Sequence, residues 1–315
     1  MKKIAVIDCG TNTFNLLVAE VTREGWSVLF HNKIAVKLGE GGFEERVIQP
    51  HRFVRGLDAL LVHKSAIDNL QCDATYAFAT SALREAGNGK AFIERTKALF
   101  GIDIELISGD REAELICHGV RMSMDLGAEP VCIMDIGGGS TEFIIANANT
   151  IFWKKSYLLG VSRLTDRIQP SDLIETSQLR ELEGILHEEL ADLKTALAQH
   201  KVERLIGSSG SFDTLRDLHY RDAAGDAIAE LHADIPLGAF QSIHRWLLRS
   251  SLSERMKHPA IPSIRAQYMP LAAHLVYFVL GIHSFNKLTH SAYSLKEGAI
   301  DAIMRRIEWP EPSEV

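Results

Sequence analysis

Two short segments carry the residue types that phosphate chemistry needs. Asp8-Cys-Gly-Thr-Asn-Thr-Phe14 and Asp135-Ile-Gly-Gly-Gly-Ser-Thr-Glu-Phe143 each end an apolar run with an aspartate, turn through glycines and hydroxyls, and enter a second apolar run. Glycine lets the backbone approach a bound group closely, and consecutive N–H groups in such a turn form a nest for anions. The aspartate oxygens suit a hard divalent cation such as magnesium. One Gly-rich hairpin is as readily an ordinary tight turn. The repetition at positions 8 and 135, 127 residues apart, carries the functional reading. Solenoid periods run to about 20–50 residues, so a repeat of this length is a duplicated domain. Two such units facing each other predict a two-lobed cleft that flanks a phosphate chain from both sides.

The elements that must position these turns follow from periodicity. Lys3–Asp8 reads as a buried strand, with Thr13–Val21 and Gly25–Phe30 completing a β-meander. His51–Leu70 has helical spacing, with Phe53, Leu57, Leu60 and Leu61 on one face. A strand over Ala74–Ala79, a helix over Gly89–Phe100, a strand over Ile102–Ile107 and a helix from about Asp110 to Asp125 follow. The pattern then restarts with strands at Pro130–Asp135, Thr141–Ala146 and Thr150–Lys155. A long, charge-rich helix over Ser177–His200 reads as a solvated outer face. Arg204–Gly207 is a strand, Ser208–Ser211 a small-residue loop before a helix, and Pro236–Arg249 and Ser263–Gly281 are helices. Leu288–Tyr293 is the last strand and about Lys296–Ile307 the last helix. The class is α/β. The domains are residues 1–126 and 127–315, with the final helix, about 299–308, packing back on the first.

Composition narrows the partners. The 315 residues include 34 basic and 41 acidic side chains, a net charge of −7, and 46% are apolar. This excludes disorder, collagen and coiled-coil rods. No apolar run reaches the roughly 18–20 residues of a membrane helix. The run Ile4–Ile7 is too short for a signal-peptide core of about 7–15 residues, so a cytoplasmic location is expected. The acidic balance argues against nucleic-acid binding, while a locally positive cleft can still take a small polyanion. Cys9, Cys72, Cys117 and Cys132 form no C-x-x-C pair, so neither a zinc nor a redox site is indicated. His283 and His290 read as incidental.

The duplicated hairpins resemble the phosphate loops of the actin, sugar-kinase and heat-shock ATPase superfamily. In more detail, the chain resembles the exopolyphosphatase/guanosine pentaphosphate phosphatase family. The segments that carry this are Asp8-Cys-Gly-Thr-Asn-Thr-Phe-Asn15, Ala79-Thr-Ser-Ala-Leu-Arg84, Ile107-Ser-Gly-Asp-Arg-Glu112, Asp135-Ile-Gly-Gly-Gly-Ser-Thr-Glu142, Leu159-Gly-Val-Ser-Arg163 and Gly207-Ser-Ser-Gly-Ser211. They span Ile4 to about Gly298 in the family's order. The resemblance implies two ribonuclease-H-like (actin-like ATPase) domains, each a mixed sheet flanked by helices, in a short two-domain form. It implies hydrolysis of a terminal phosphoanhydride of polyphosphate or guanosine pentaphosphate in the cleft, with magnesium or another divalent cation. A homodimer is a candidate assembly.

The resemblance also assigns roles. Glu112 is the general base toward water; by position alone it would read as a helix-dipole charge worth about 0.3–1 kcal/mol. Arg84 offers a forked guanidinium to phosphate, and Arg163 is a lesser candidate of the same kind. Asp135 and Glu142 are magnesium ligands, and Asp8 is their counterpart in the first lobe. Thr11, Asn12 and Thr13 cradle phosphates from one hairpin, and Gly137, Gly138, Gly139, Ser140 and Thr141 from the other. Gly207, Ser208, Ser209, Gly210 and Ser211 form a third loop. Arg111 and Glu114 reverse charges usual in the family, which points to an altered ligand preference. Arg265-Ala-Gln267 lacks the acidic residue often seen after that arginine. Two other functions stay open at this point: an ATP-dependent kinase or ATPase switch, and a polyphosphate or alarmone sensor with little turnover.

Overall fold

A computed structural model describes residues 1–220 and 230–306. The first sheet is built from β1 (Lys2–Cys9), β2 (Thr13–Val21) and β3 (Trp26–Ala35), an antiparallel meander. β4 (Ala74–Ala79) and β5 (Ile104–Leu106) continue it in parallel, giving the order β3-β2-β1-β4-β5. The helices between them are α1 (Pro50–Asn69), α2 (Ser81–Glu85) and α3 (Gly89–Phe100); α4 (Gly109–Ser123) follows β5.

The second sheet repeats the plan. β6 (Val131–Ile136), β7 (Thr141–Ala146) and β8 (Ile151–Tyr157) form the meander, and β9 (Arg204–Ser208) lies parallel to β6. β10 (His232–Asp234) and β11 (Lys287–Ser291) complete the order β10-β11-β9-β6-β7-β8. Leaving aside edge strand β10, both sheets read 3-2-1-4-5 within their own halves. This is the ribonuclease-H-like arrangement, and the fold is of the actin-like ATPase type. The remaining helices are α5 (Val161–Ile168), α6 (Thr176–Glu189), α7 (Ala191–His200), α8 (Ser209–Tyr220), α9 (Leu237–Arg249), α10 (Leu252–Lys257), α11 (Met269–Ile282) and α12 (Leu295–Met304). No described helix is long and apolar enough to cross a membrane.

The central strands are covered on both faces, which is why they read as unbroken apolar runs. On β1, Ala5, Ile7 and Cys9 enter a core with α1 and α3, while Ile4 and Val6 face a core with α4 and α12. The second core also takes Ile133 and Ile144 from β6 and β7. Helices α4 and α12 thus form a layer shared by the two sheets. Their backbones touch: a Cβ on Gly298 would lie 1.8 Å from the Leu115 carbonyl oxygen, and one on Gly119 2.0 Å from that of Ser294. The described part of the final helix, α12, packs on α4 and faces β1 and β2; residues 307 and 308 lie outside the described residues. A third core buries the other face of the second sheet under α5 to α9 and α11.

Several boundaries differ from expectation. The long helix breaks at Leu190 into α6 and α7, and Leu182 and Leu186 on one side of the break and Leu193 and Leu197 on the other all enter the same core. The helix expected from Ser263 begins at Met269, because residues 262–268 take tight turns. α5 and α10 have no counterpart among the expected elements; each is a short helix, of eight and six residues.

Candidate active site

The two turns are built alike. Gly10 N–H donates to the Thr13 carbonyl at 3.2 Å, and Gly137 N–H to that of Ser140 at 3.0 Å. They also meet face to face. A side chain on Gly138 would run into Asn12 and Thr11, and one on Gly139 into Ser81 and Thr11. Ser162 Oγ donates to Asn12 Oδ1 at 2.7 Å and ties α5 to the first turn. Between the lobes lies a cavity of about 180 Å³. Its wall brings together Asp8, Thr11, Asn12, Thr13, Glu112, Asp135, Gly137, Gly138, Gly139, Ser140, Ser209, Gly210 and Ser211. A larger groove of about 740 Å³ runs beside residues 41–45. It carries Glu44, Glu45, Asp166 and Asp172 against a single cation, Arg255, and so repels polyanions.

Carboxylates crowd the cavity. Asp135 and Glu142 are cross-strand partners. Burial, then Asp135, push Glu142 up to about 7. Burial pushes Asp8 up to about 6, against the hydrogen bond it accepts from Asn15 Nδ2 at 2.9 Å and with Asp135 adding to the rise. Glu112 sits in the first turn of α4, whose N-cap Ser108 accepts from Arg111 N–H. Burial and Glu142 raise it well above the ordinary range, with Arg84 opposing.

Several expected ligands lie behind the wall instead. Arg84 Nη1 donates to the Ile107 carbonyl at 3.0 Å and to Glu112 Oε2 at 3.1 Å, so it holds Glu112 in place. Arg163 Nε donates to the Gly139 carbonyl at 3.0 Å and stacks 4.5 Å over Phe43, bracing the glycine turn. Thr141 Oγ1 donates to the Leu159 carbonyl. Gly207 is inside β9, where the Phe212 ring fills the space of a Cβ. Ser208 ends β9 and donates to Asp135 Oδ2 at 2.6 Å. Ser209, Gly210 and Ser211 are the first turn of α8 rather than a loop, with Ser209 at φ 68° making the bend. The reversed pair Arg111 and Glu114 closes on itself at 3.0 Å and on Lys154, away from the cavity.

The Asp8, Asp135 and Glu142 set needs the same correction. Among the described residues no three His, Cys, Asp or Glu side chains converge on one point. Glu142 is 1% exposed, and its Oε1 accepts from Ser156, its partner on β8, at 2.6 Å. The donors that do face the cavity, Asp8 and Asp135, are oxygens. Magnesium keeps several waters and takes phosphate oxygens, so one or two carboxylates are enough. Asp135 Oδ1 is the oxygen that could hold such an ion, since Oδ2 accepts from Ser208 and Ser294.

Sequence reasoning missed the positive side. Lys33, Arg265 and Lys296 all line the cavity, with Asn15, Asp213, Tyr268 and Ser294. Burial, then Arg265, lower Lys33 to about 8 although the residue as a whole is exposed. Burial opposes the Lys296 charge, but Glu297, at 2.8 Å, outweighs it. Asn15 stood in the quoted motif and could have been chosen there. The cations come from three distant stretches with no local pattern.

Comparison with known proteins places the chain in a family. The profile described as "Ppx/GppA phosphatase family" matches residues 17–307. A solved structure of an exopolyphosphatase from Cytophaga hutchinsonii is 34% identical, with a TM-score of 0.93 over 98% of this chain and 99% of that one. A family member from Aquifex aeolicus shares the fold at 23% identity, with a TM-score of 0.81 over 98% of this chain and 99% of that one. Curated relatives are longer. The chain spans 66% of a Haemophilus influenzae relative, 27% identical over 215 residues, which are 68% of this chain. It spans 26% of a Fusobacterium nucleatum protein named bifunctional 3-dehydroquinate synthase/phosphatase, 35% identical over 171 residues, which are 52% of this chain.

Proposed function

This chain belongs to the Ppx/GppA phosphatase family, and on that premise we propose that it hydrolyses the terminal phosphoanhydride of inorganic polyphosphate, releasing orthophosphate. One observation carries the reading: Glu112 shares a single small cavity with both anion-nest turns and with Lys33, Arg265 and Lys296. The N–H groups of the turns and the three cations offset the phosphate charge. Phosphoryl transfer is mostly positioning and electrostatics, so few groups need to react. Glu112, oriented by Arg84, accepts the proton of the attacking water; a carboxylate raised toward the working pH is the stronger base. Asp8 and Asp135 would hold a divalent cation, which supplies further charge neutralisation at the phosphate. Contact between the two turns keeps bulk water out of the reacting end.

Inorganic polyphosphate is favoured over guanosine pentaphosphate because, among the described residues, the cavity offers one aromatic ring, Tyr268, itself 3% exposed and so a poor platform for a base. The test is phosphate release from polyphosphate with magnesium, comparing the parent with Glu112→Gln. Loss of a general base lowers turnover by about 10²–10⁴-fold, with polyphosphate binding retained. A Gln variant that releases phosphate at the parent's rate refutes the mechanism. Adenosine diphosphate formed from ATP in place of phosphate from polyphosphate would make the protein a nucleotide enzyme.

A further inference from the structure

The cationic end of the cavity contains an acid that the hydrolytic scheme does not use. Asp213, in the second turn of α8, lines the cavity with about a third of its side chain accessible, 35%. Its Oδ1 lies 3.0 Å from His290 Nε2 and its Oδ2 3.5 Å from Arg265 Nη2. His290, on β11, is 0% exposed. Its Nδ1 meets no partner among the described residues, so the hydrogen-bond pattern assigns the ring proton to Nε2, where it is donated to Asp213. Arg265 is held from a second side, Nη1 donating to Thr214 Oγ1 at 3.0 Å. It lies flat on the first turn of α8, where a Cβ on Gly210 would fall 2.1 Å from the guanidinium. Lys33 and Lys296 also feel the Asp213 charge, and Asp8 is the other cavity acid that acts on those two lysines.

Resting on the reading of this cavity as the phosphate site, we infer that Asp213 is its resident counter-anion, and that His290 is the positioning residue that keeps Asp213 from closing fully on Arg265. Three cations around 180 Å³ would grip orthophosphate, the product, as firmly as substrate. A fixed carboxylate cancels one of those charges and competes for the guanidinium, so it limits anion affinity and frees the product. Geometry supports the competition: the 3.5 Å contact to Arg265 is looser than the 3.0 Å contact to His290. The carboxyl also stays ionised. Against the rise from burial, the His290 hydrogen bond and Arg265 hold it at about 2.

The experiment is calorimetric titration of the full chain with orthophosphate, alongside product inhibition of polyphosphate hydrolysis. Asp213→Asn removes the charge and keeps the shape; orthophosphate should bind about tenfold more tightly and inhibit at about tenfold lower concentration. His290→Phe releases the acid onto Arg265 and should weaken orthophosphate several-fold, while His290→Gln, which keeps a donor, restores the parent's value. Opposite signs from two partners of one hydrogen bond are not produced by simple loss of structure. If Asp213→Asn unfolds, Asp213→Ser carries the same expectation. Unchanged or weaker orthophosphate binding in the charge-removed variant overturns the inference, as does a parent that binds no orthophosphate. A parent that binds orthophosphate but releases none from polyphosphate sinks the hydrolase reading alone, since the binding comparison needs no turnover.

Discussion

Asp8 offers a direct test of how the cavity's charges trade against stability. Burial, with Asp135 nearby, raises its carboxyl from 3.8 to about 6. A carboxyl raised in the folded state keeps its proton there after the unfolded chain has lost it. Its contribution is therefore fully present below about pH 4 and is lost as pH rises through about 6. At 1.36 kcal/mol per pKa unit the loss is about 3 kcal/mol. Asp8→Asn cannot ionise and escapes it. The hydrogen bond from Asn15 Nδ2, 2.9 Å long, opposes the rise and is already contained in that value. The net expectation is a variant more stable than the parent by about 3 kcal/mol at pH 8 and about equal to it at pH 4. For a chain of this size that is a Tm increase of several degrees at pH 8.

Differential scanning calorimetry in chelator at pH 4, 6 and 8 measures this directly. The difference between variant and parent should grow across pH 4–6 and then level off. Magnesium should narrow it by stabilising only the parent, if Asp8 is a ligand. A variant that is equal to the parent at pH 8, or a difference that is flat with pH, would show that Asp8 does not pay a burial penalty and that the cavity is wetter or more positive than its geometry indicates.

Two further substitutions test the frame. Gly298→Ala puts a methyl into the Leu115 carbonyl of α4; overpacking of this kind removes about 1–3 kcal/mol, which urea denaturation should show as a lower midpoint at unchanged slope. Arg163→Met keeps bulk over Phe43 but loses the bond to Gly139. Orthophosphate affinity should stay within about threefold while the Tm falls by the equivalent of about 1 kcal/mol; a tenfold weaker affinity would make Arg163 a phosphate ligand after all.

The parts of the fold written in local pattern were legible. The strands around both turns showed as apolar runs because each is buried on two faces, and the duplication showed because both turns obey the same backbone closure. What stayed hidden was tertiary. Helix α5 is eight residues long, too short for a periodic signal, yet it sets Arg163 and Ser162. Arg84 and Glu112 both stand in the quoted motifs, but only the tertiary contact between Arg84 on α2 and Glu112 on α4 shows that the arginine serves the glutamate. Glu142 interrupts an apolar strand as a ligand would. It is instead covered by Ser156, a partner 14 residues away on β8 that spacing alone could not identify.

The divided origin of the site explains its polarity. The acids Asp8, Asp135 and Glu112 come from strand ends and a first helical turn, positions that repeat with the duplicated topology and so appear in local sequence. The cations come from places the duplication does not pair: Lys33 from the outer strand of the first meander, Arg265 from the turns before α11, Lys296 from the first turn of α12. Acids from both lobes therefore face cations from both, and only a structure in which the lobes approach puts them around one cavity. Opening the cleft would leave Asp8 better hydrated and its carboxyl nearer the ordinary range, while closing it around phosphate would replace lost water with Lys33, Arg265 and Lys296. The pH dependence of Asp8→Asn and the anion affinity of Asp213→Asn thus read the two sides of one balance.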